Sequence, residues 1–483
     1  MKVKIMANIA ALVTALALLM LGGCGSESAQ TASDPVTVIS TTEVASYDTI
    51  DEVIAAVEKA GGNTTTVSST LGGYDTMAAA AQTLGANGTL STTDISKIIK
   101  GEWSKVAGWF WGVKYYKVAY EAGGYKNLSG LVVMPKLWFW QYPVGVLLLT
   151  HPTEVLRAYS PSVTEPFLDG TFTKLFGSLF GSLKYVVVIP DYPGLGDNAE
   201  VHPYCLKERL GSTSAALVKI VQADKRFYAG DKDISILGFS EGAYAALATA
   251  DYMRHRTSEY RVNKVIALSG PYDLSGTMKE LMLTAQGDYP APYFLPYVIA
   301  GYSDTYRDID YLKFDQSVVA NPIKDNQAFN RRLYQIMDGR FDGTTISKLI
   351  YTVTPEVPNG ATSYYGPISM TTALFQDRLA NDFSTTGINQ RLLDNTLPGN
   401  DWGFVDPTVK FLFVHYPDDD CVKYANTQAV QAAWKNYIGK NVTIKTLTDT
   451  QPLTKSNAGS THAASILNEY LIGLKFLLDM PLD

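Results

Sequence analysis

A succession of short, almost wholly apolar runs sets the tightest limit on how this 483-residue chain can fold. They are "VGVLLLT" (144–150), "YVVVIP" (185–190), "ISILG" (234–238), "KVIALS" (264–269), "KFLFVH" (410–415) and "NVTIKT" (441–446). Such runs are too short for helices, and most lack the polar alternation of a strand with one wet face. They suit strands covered on both sides, as in a parallel sheet. Helix-compatible segments lie between or after several of them: Ser212–Ala223, Gly242–Arg254, Tyr424–Tyr437 and Ala463–Leu478. Two earlier runs, "KYYKVAY" (114–120) and "LSGLVVM" (128–134), flank the turn-rich "EAGGYKN" and suit a hairpin. The expectation is an α/β fold with a sheet of about eight mostly parallel strands flanked by helices.

The flanking segments have a different character. Lys2 and Lys4 precede an apolar stretch from Ile5 to Leu21, and "LGGC" follows at 21–24. A positive start, a short apolar core and a small-residue site form an export signal, too short for an ordinary membrane span. Ending in a cysteine, the segment resembles the lipobox of bacterial lipoproteins. That resemblance implies a signal peptide at 1–23, lipid on Cys24, and a place in the bacterial cell envelope, held to the membrane by that lipid alone. Residues 24–100 read as a polar tether ("GSESAQTASDP") and an N-terminal extension. Within it, Tyr47–Lys59 has helical spacing, with Ile50, Val53, Ile54 and Val57 on one face. An exported chain permits a disulfide between Cys205 and Cys421, and two buried free thiols are the alternative.

The formal charge of −7 and the absence of basic runs argue against nucleic acid as a partner. Core strands are expected in 101–278 and again in 409–483. The intervening residues 279–408 are far too many for a loop and are expected to form a cap or lid insertion. Tyr289, Tyr293, Phe294, Tyr297, Tyr302, Tyr306 and Tyr311 make it densely aromatic. Most suit its own core, and a few suit the wall of a substrate pocket.

Chemistry concentrates at "ISILGFSEGAYAALATA" (234–250), where a strand gives way to a helix former across Gly238-Phe239-Ser240-Glu241-Gly242. Alone, Gly-x-Ser-x-Gly is a weak signal. Between a strand and a helix it matches the nucleophile elbow, a bend that exposes the serine and aims backbone N–H groups at the same space. A serine needs a base, and the base needs an orienting carboxylate. Downstream stand "YPDDDCV" after "KFLFVH", and His462 in "GSTHAAS" after the last strand. The order Ser240, then an aspartate of 418–420, then His462 is that of elbow-bearing hydrolases. His255 reads as solvated or as a partner of its helix C-terminus, His202 as satisfying a loop ahead of lining a pocket, and Asp191 in "DYPGLGD" as structural.

From about Trp109 onward the chain resembles the α/β-hydrolases, and within them bacterial esterases and the secretory lipase-like family. The matching pieces are "LLLTHPT", "VVVIPDYPGLGD", "GFSEGAYAA", "LSGPYDL", "FLFVHYPDDDCV" and "STHAAS". Laying the family's His-Gly-x-x-Asp-x-x-Val pattern on His415–Val422 implies Asp419 as the acid. Tyr416 replaces the glycine, so Asp418 and Asp420 stay open. His151 corresponds to the histidine of the oxyanion loop. Pro152 there has no N–H, so the implied donors are the backbone N–H groups of Glu241 and Thr153. The resemblance implies a serine carboxylesterase or lipase acting on a small-molecule or lipid ester, with no metal or organic cofactor. A peptidase or amidase on the same machinery is the runner-up, and a non-catalytic surface binding protein the more distant alternative.

Overall fold

Each of the apolar runs becomes a strand because each has apolar neighbours on both sides. The structure, a computed structural model, describes residues 36–61, 100–105, 110–163 except 139, 171–284, 289–306 except 292, 337–346 except 344, 387–399, and 406–482 except 452, 454 and 456–459. The expected signal, Cys24, most of the N-terminal extension, Tyr311 and most of the insertion lie outside the described residues.

The strands are β1 (Thr37–Tyr47), β2 (Val113–Ala122), β3 (Tyr125–Pro135), β4 (Gly145–Thr150), β5 (Tyr185–Pro190), β6 (Ile234–Phe239), β7 (Val262–Leu268), β8 (Lys410–His415) and β9 (Val442–Thr446). They form one sheet in the order β1-β2-β3-β5-β4-β6-β7-β8-β9. The first three pairings are antiparallel, and β5 through β9 pair in parallel.

Helices cover both faces: α1 (Ile50–Gly61), α2 (Thr171–Ser182), α3 (Lys207–Ala223), α4 (Glu241–Arg254), α5 (Lys279–Thr284), α6 (Phe294–Thr305), α7 (Ile388–Asp394), α8 (Ala425–Ala433) and α9 (Thr461–Leu477). Val146, Leu148, Ile236 and Val265 point to a core shared with α3 and α4. Their neighbours Leu147, Leu149, Leu237 and Ile266 point to a second core with α1, α2 and α9. This two-sided burial is why the strands read as unbroken apolar runs. On the second face Phe176 of α2 stacks on Tyr470 of α9, with ring centroids 4.1 Å apart.

The sheet has one strand more than expected, and it falls in the stretch read as tether and extension. β1 is an exposed edge strand, "TVISTTEVASY", whose pairing to β2 is made by backbone groups. Its side chains carry no burial pattern, so composition alone reads as a polar segment. α1 follows with Ile50, Val53 and Ile54 buried as its spacing predicts; the Val57 side chain is outside the described residues. α2 was not anticipated. Its two glycines, Gly177 and Gly181, lower helix propensity, yet they let the helix press against the side chains of Ile189 and Val133.

Candidate active site

Ser240 sits between β6 and α4 with φ 59° and ψ −126°, a region that non-glycine residues avoid. Its surroundings hold it there. The Ser240 N–H donates to the Leu268 carbonyl of β7 at 2.8 Å, and its own carbonyl accepts from Ala243 N–H at 2.9 Å. The Thr150 hydroxyl braces the bend between the carbonyls of Leu237 (3.0 Å) and Gly242 (2.7 Å). A Cβ at Gly238 would strike the Gly242 carbonyl and the Thr150 hydroxyl, and one at Gly242 would strike the Thr150 carbonyl. Both glycines are therefore steric requirements of the turn.

The three aspartates after β8 separate cleanly. Asp419 is buried, and its Oδ2 accepts from His462 Nδ1–H at 2.6 Å. Its Oδ1 accepts from the backbone N–H groups of Cys421 (2.9 Å) and Val422 (2.7 Å). Asp420 is a latch: its Oδ1 accepts from Thr461 N–H at 3.1 Å and His462 N–H at 3.3 Å, tying the acid loop to the start of α9. The Asp418 carbonyl accepts from the Thr461 hydroxyl at 2.6 Å, and its side chain takes no part. Of the trio, only Asp419 has its side chain on the imidazole.

Burial alone would raise the Asp419 carboxyl. The imidazoles of His462 and His415, with the hydrogen bonds from them, outweigh burial and hold it below the ordinary carboxylate range. His415 Nε2–H donates to the Val422 carbonyl at 2.8 Å and lies 3.4 Å from Asp419 Oδ2. His462 is then left with Nε2 buried and without a hydrogen bond among the described residues. No bond joins it to the Ser240 hydroxyl. Phe239, the residue before Ser240, stacks on the His462 ring with centroids 4.6 Å apart, which brings elbow and imidazole together.

β4 pairs with β6 so that Thr150 stands level with Gly238. The loop 151–153 and the first turn of α4 therefore leave the sheet side by side. A Cβ at Gly242 would lie 2.8 Å from the His151 carbonyl oxygen, which measures how close they are. Among the described residues, neither Glu241 N–H nor Thr153 N–H forms a hydrogen bond. The His151 ring is buried, which pushes its pKa down, and Nδ1–H donates to the Pro152 carbonyl at 2.6 Å, stiffening the loop.

His202 satisfies a loop as expected and makes a second contact that was not expected. It does donate to a loop carbonyl, from Nδ1–H to Pro193 at 2.8 Å, but the ring is fully buried and its Nε2 lies 2.6 Å from Glu241 Oε1. His255 is the C-cap of α4 with an exposed side chain, as its charged setting predicts. Asp191 is structural: its carboxylate accepts from both the Ser162 N–H (2.8 Å) and the Ser129 hydroxyl (2.5 Å).

The architecture has close relatives in shape and distant ones in sequence. Neither a protein-family model nor a curated protein matches the chain. Solved structures do. The rice cell wall degrading esterase LipA from Xanthomonas oryzae is similar over 91% of this chain and 97% of its own, at 18% identity and a TM-score of 0.60. A candidate hydrolase from Legionella pneumophila is similar over 91% of this chain and 98% of its own, again at 18% identity and TM-score 0.60. The fold is that of the α/β-hydrolases.

On this fold the C-terminal ends of β6 and β8 carry Ser240 and the aspartate loop, and the first turn of α9 carries His462. Beside them is an apolar cavity, part of it open to solvent. Tyr204, Leu274, Met282, Tyr289, Phe294 and Leu295 are among its walls. The Ser240, Asp419 and His462 side chains do not line it. It abuts their loops through Tyr204, whose hydroxyl lies 3.2 Å from Thr153 Oγ1, and Tyr289, which donates to the Cys421 carbonyl at 3.3 Å. Tyr293, Tyr297 and most of Tyr302 are buried in packing. Cys205 and Cys421 are free and buried, so the open question of a disulfide resolves to two thiols.

Sequence reasoning passed over Thr150, the Glu241 carboxyl and Glu469. Buried Glu469 accepts from Ser269 at 2.7 Å, and burial, with further push from Asp419, raises it well above the ordinary carboxylate value. A polar residue inside an apolar helix stretch ("LNEYLIG") was its one visible signal.

Asp419 stays ionised further into acid in the folded chain than in the unfolded one. Its stabilisation is therefore complete above about pH 4 and fades as pH falls below it. Asp419→Asn is expected to lose about 1.5–3 kcal/mol at pH 7, with the deficit narrowing toward pH 3 in urea-unfolding curves. A deficit that stays constant down to pH 3 would contradict this.

Proposed function

We propose that this α/β-hydrolase cleaves carboxylic esters through Ser240, His462 and Asp419. The observation that carries the proposal is the 2.6 Å bond from His462 Nδ1 to Asp419, on an imidazole stacked against the residue before a strained serine. A carboxylate on Nδ1 leaves Nε2 as the basic nitrogen. Ser240 attacks the ester carbonyl while His462 Nε2 takes its proton and returns it to the departing alcohol. Asp419 fixes the tautomer and offsets the imidazolium charge. Water, deprotonated by His462, then releases the acid from the acyl-enzyme. The N–H groups of Glu241 and Thr153, without partners among the described residues, are the proposed oxyanion donors, helped by the N-terminus of α4.

The apolar cavity is the proposed acyl site, and residues 279–408, which supply Met282, Tyr289, Phe294 and Leu295 to its wall, are the proposed cap. An apolar wall favours an acyl chain over a charged peptide side chain, which places esters ahead of amides. LipA of Xanthomonas oryzae is an esterase on this fold, in keeping with that order. The N-terminal signal and Cys24 are proposed to hold the enzyme by lipid at the bacterial cell envelope.

A fluorophosphonate is expected to label Ser240, and Ser240→Ala to lower kcat on p-nitrophenyl esters by at least about 10³-fold. Wild type that hydrolyses peptide amides and no esters would sink the ester assignment. Unlabelled, well-folded wild type would favour a binding protein. Leu295→Trp, which narrows the cavity, is expected to cut kcat/KM about tenfold for long acyl chains and little for acetate. Equal losses on both would remove the cavity from substrate binding. Cys24→Ser in the exported precursor is expected to abolish labelled fatty-acid incorporation and free the protein from membranes. Undiminished incorporation would refute Cys24 as the lipid site.

A further inference from the structure

Beneath the elbow lies a buried pair that the mechanism above leaves unused. His202 Nδ1 is 2.8 Å from the Pro193 carbonyl, and its Nε2 is 2.6 Å from Glu241 Oε1. Both side chains are fully buried. A carbonyl oxygen only accepts, so Nδ1 must carry a proton. The 2.6 Å contact to the carboxyl requires a second. Imidazolium with carboxylate, or imidazole with carboxylic acid, satisfies both bonds, and either way the pair has no net charge. The other carboxyl oxygen, Oε2, is buried with no partner among the described residues. Among the described residues His202 is the one hydrogen-bond partner of the Glu241 carboxyl.

Glu241 is also the first residue of α4 and the proposed first oxyanion donor. A lone negative charge on its side chain would cancel part of the positive potential of the helix terminus where an oxyanion must form. The geometry points to His202 as a positioning residue that anchors the Glu241 side chain and keeps the pair without net charge, so that the Glu241 N–H faces the reacting oxygen without an uncompensated charge beside it. This role rests on the proposed ester chemistry at Ser240.

The groups facing the pair cannot substitute for His202. They are His151 from the loop after β4, Tyr192 from the loop after β5, Tyr204 and Cys205 from the loop before α3, and Tyr297 from α6. Burial lowers His151 and raises Tyr192, Tyr204 and Cys205, so those four are uncharged near neutrality. The rings of Tyr297 and Tyr192 lie 5.0 and 5.7 Å from that of His202 and hold it in place.

The test compares wild type, His202→Gln, His202→Gln/Glu241→Gln and Ser240→Ala on one p-nitrophenyl ester across pH, with circular dichroism to establish folding. His202→Gln is expected to lower kcat about thirtyfold near neutral pH with KM within about threefold, a smaller loss than removal of an oxyanion donor. Its deficit should narrow as pH falls, because protonation of the lone carboxyl restores neutrality. The double variant should recover most of the kcat and show no such narrowing. If His202→Gln matches wild type, or single and double variants are equally impaired at every pH, the role is packing and the proposal is overturned. A second measurement needs no variant to fold: proton NMR of wild type with nitrogen-15-labelled histidine should show a strongly deshielded proton shared by His202 and Glu241. Its absence overturns the pair. Full activity of Ser240→Ala would instead bring down the ester chemistry while leaving the NMR result to judge the shared proton.

Discussion

One backbone conformation organises the upper edge of this molecule: Ser240 at φ 59°, ψ −126°. A non-glycine residue there costs on the order of 1–3 kcal/mol, and it persists only where neighbours over-determine it. Here the constraints come from three directions. β7 accepts the Ser240 N–H, the first turn of α4 donates to its carbonyl, and Thr150 on β4 bridges carbonyls on either side of the bend. The two glycines follow as steric consequences. So does the site: a bend this sharp lifts the hydroxyl off the sheet and leaves the first N–H groups of α4 without helical partners.

Much of the fold was legible because two-sided burial writes itself into sequence. Val186 to Ile189 alternates between two cores, each apolar, so every position reads hydrophobic. β1 was illegible for the opposite reason. Its contribution is a ladder of backbone bonds along one edge, and side chains such as Ser40, Thr41 and Thr42 leave no trace of it. The linear order of Ser240, an aspartate and His462 could be read directly. The choice among Asp418, Asp419 and Asp420 could not be made from the residues alone, since all three have the same chemistry and only loop geometry separates them. With Tyr416 in place of glycine, Asp419 is the aspartate on which the Cys421 and Val422 N–H groups converge and to which His462 is bonded.

Buried acids illustrate how environment divides identical groups. Asp419 and Glu469 are both buried beside the same loop, yet one is held low and the other pushed high. Asp419 receives two backbone N–H donors and an imidazole. For Glu469, burial and the unfavourable field of Asp419 outweigh the Ser269 and Ser465 hydroxyls and the Tyr416 backbone. Only one of them can carry charge cheaply at neutral pH, and it is the one bonded to the His462 imidazole. A second anion on α9 would compete for stabilisation of the same imidazolium and weaken the directional hold on its tautomer.

The same economy of charge explains why histidines surround this site. Of the five in the chain, His151 braces the loop beside α4, His202 meets the Glu241 carboxyl, His415 approaches Asp419, and His462 is bonded to it. An imidazole is flat, fits between aromatic rings, and can present a donor at one edge and an acceptor at the other. That lets it join a carbonyl to a carboxyl in a dry interior, which lysine, always seeking water or an anion, does poorly. His415 likewise joins the Thr427 hydroxyl to the Val422 carbonyl, fixing the loop from which Asp419 projects. The His462 imidazole therefore stands within a frame of hydrogen-bonded histidines, and a proton gained at its Nε2 would leave a charge held by Asp419.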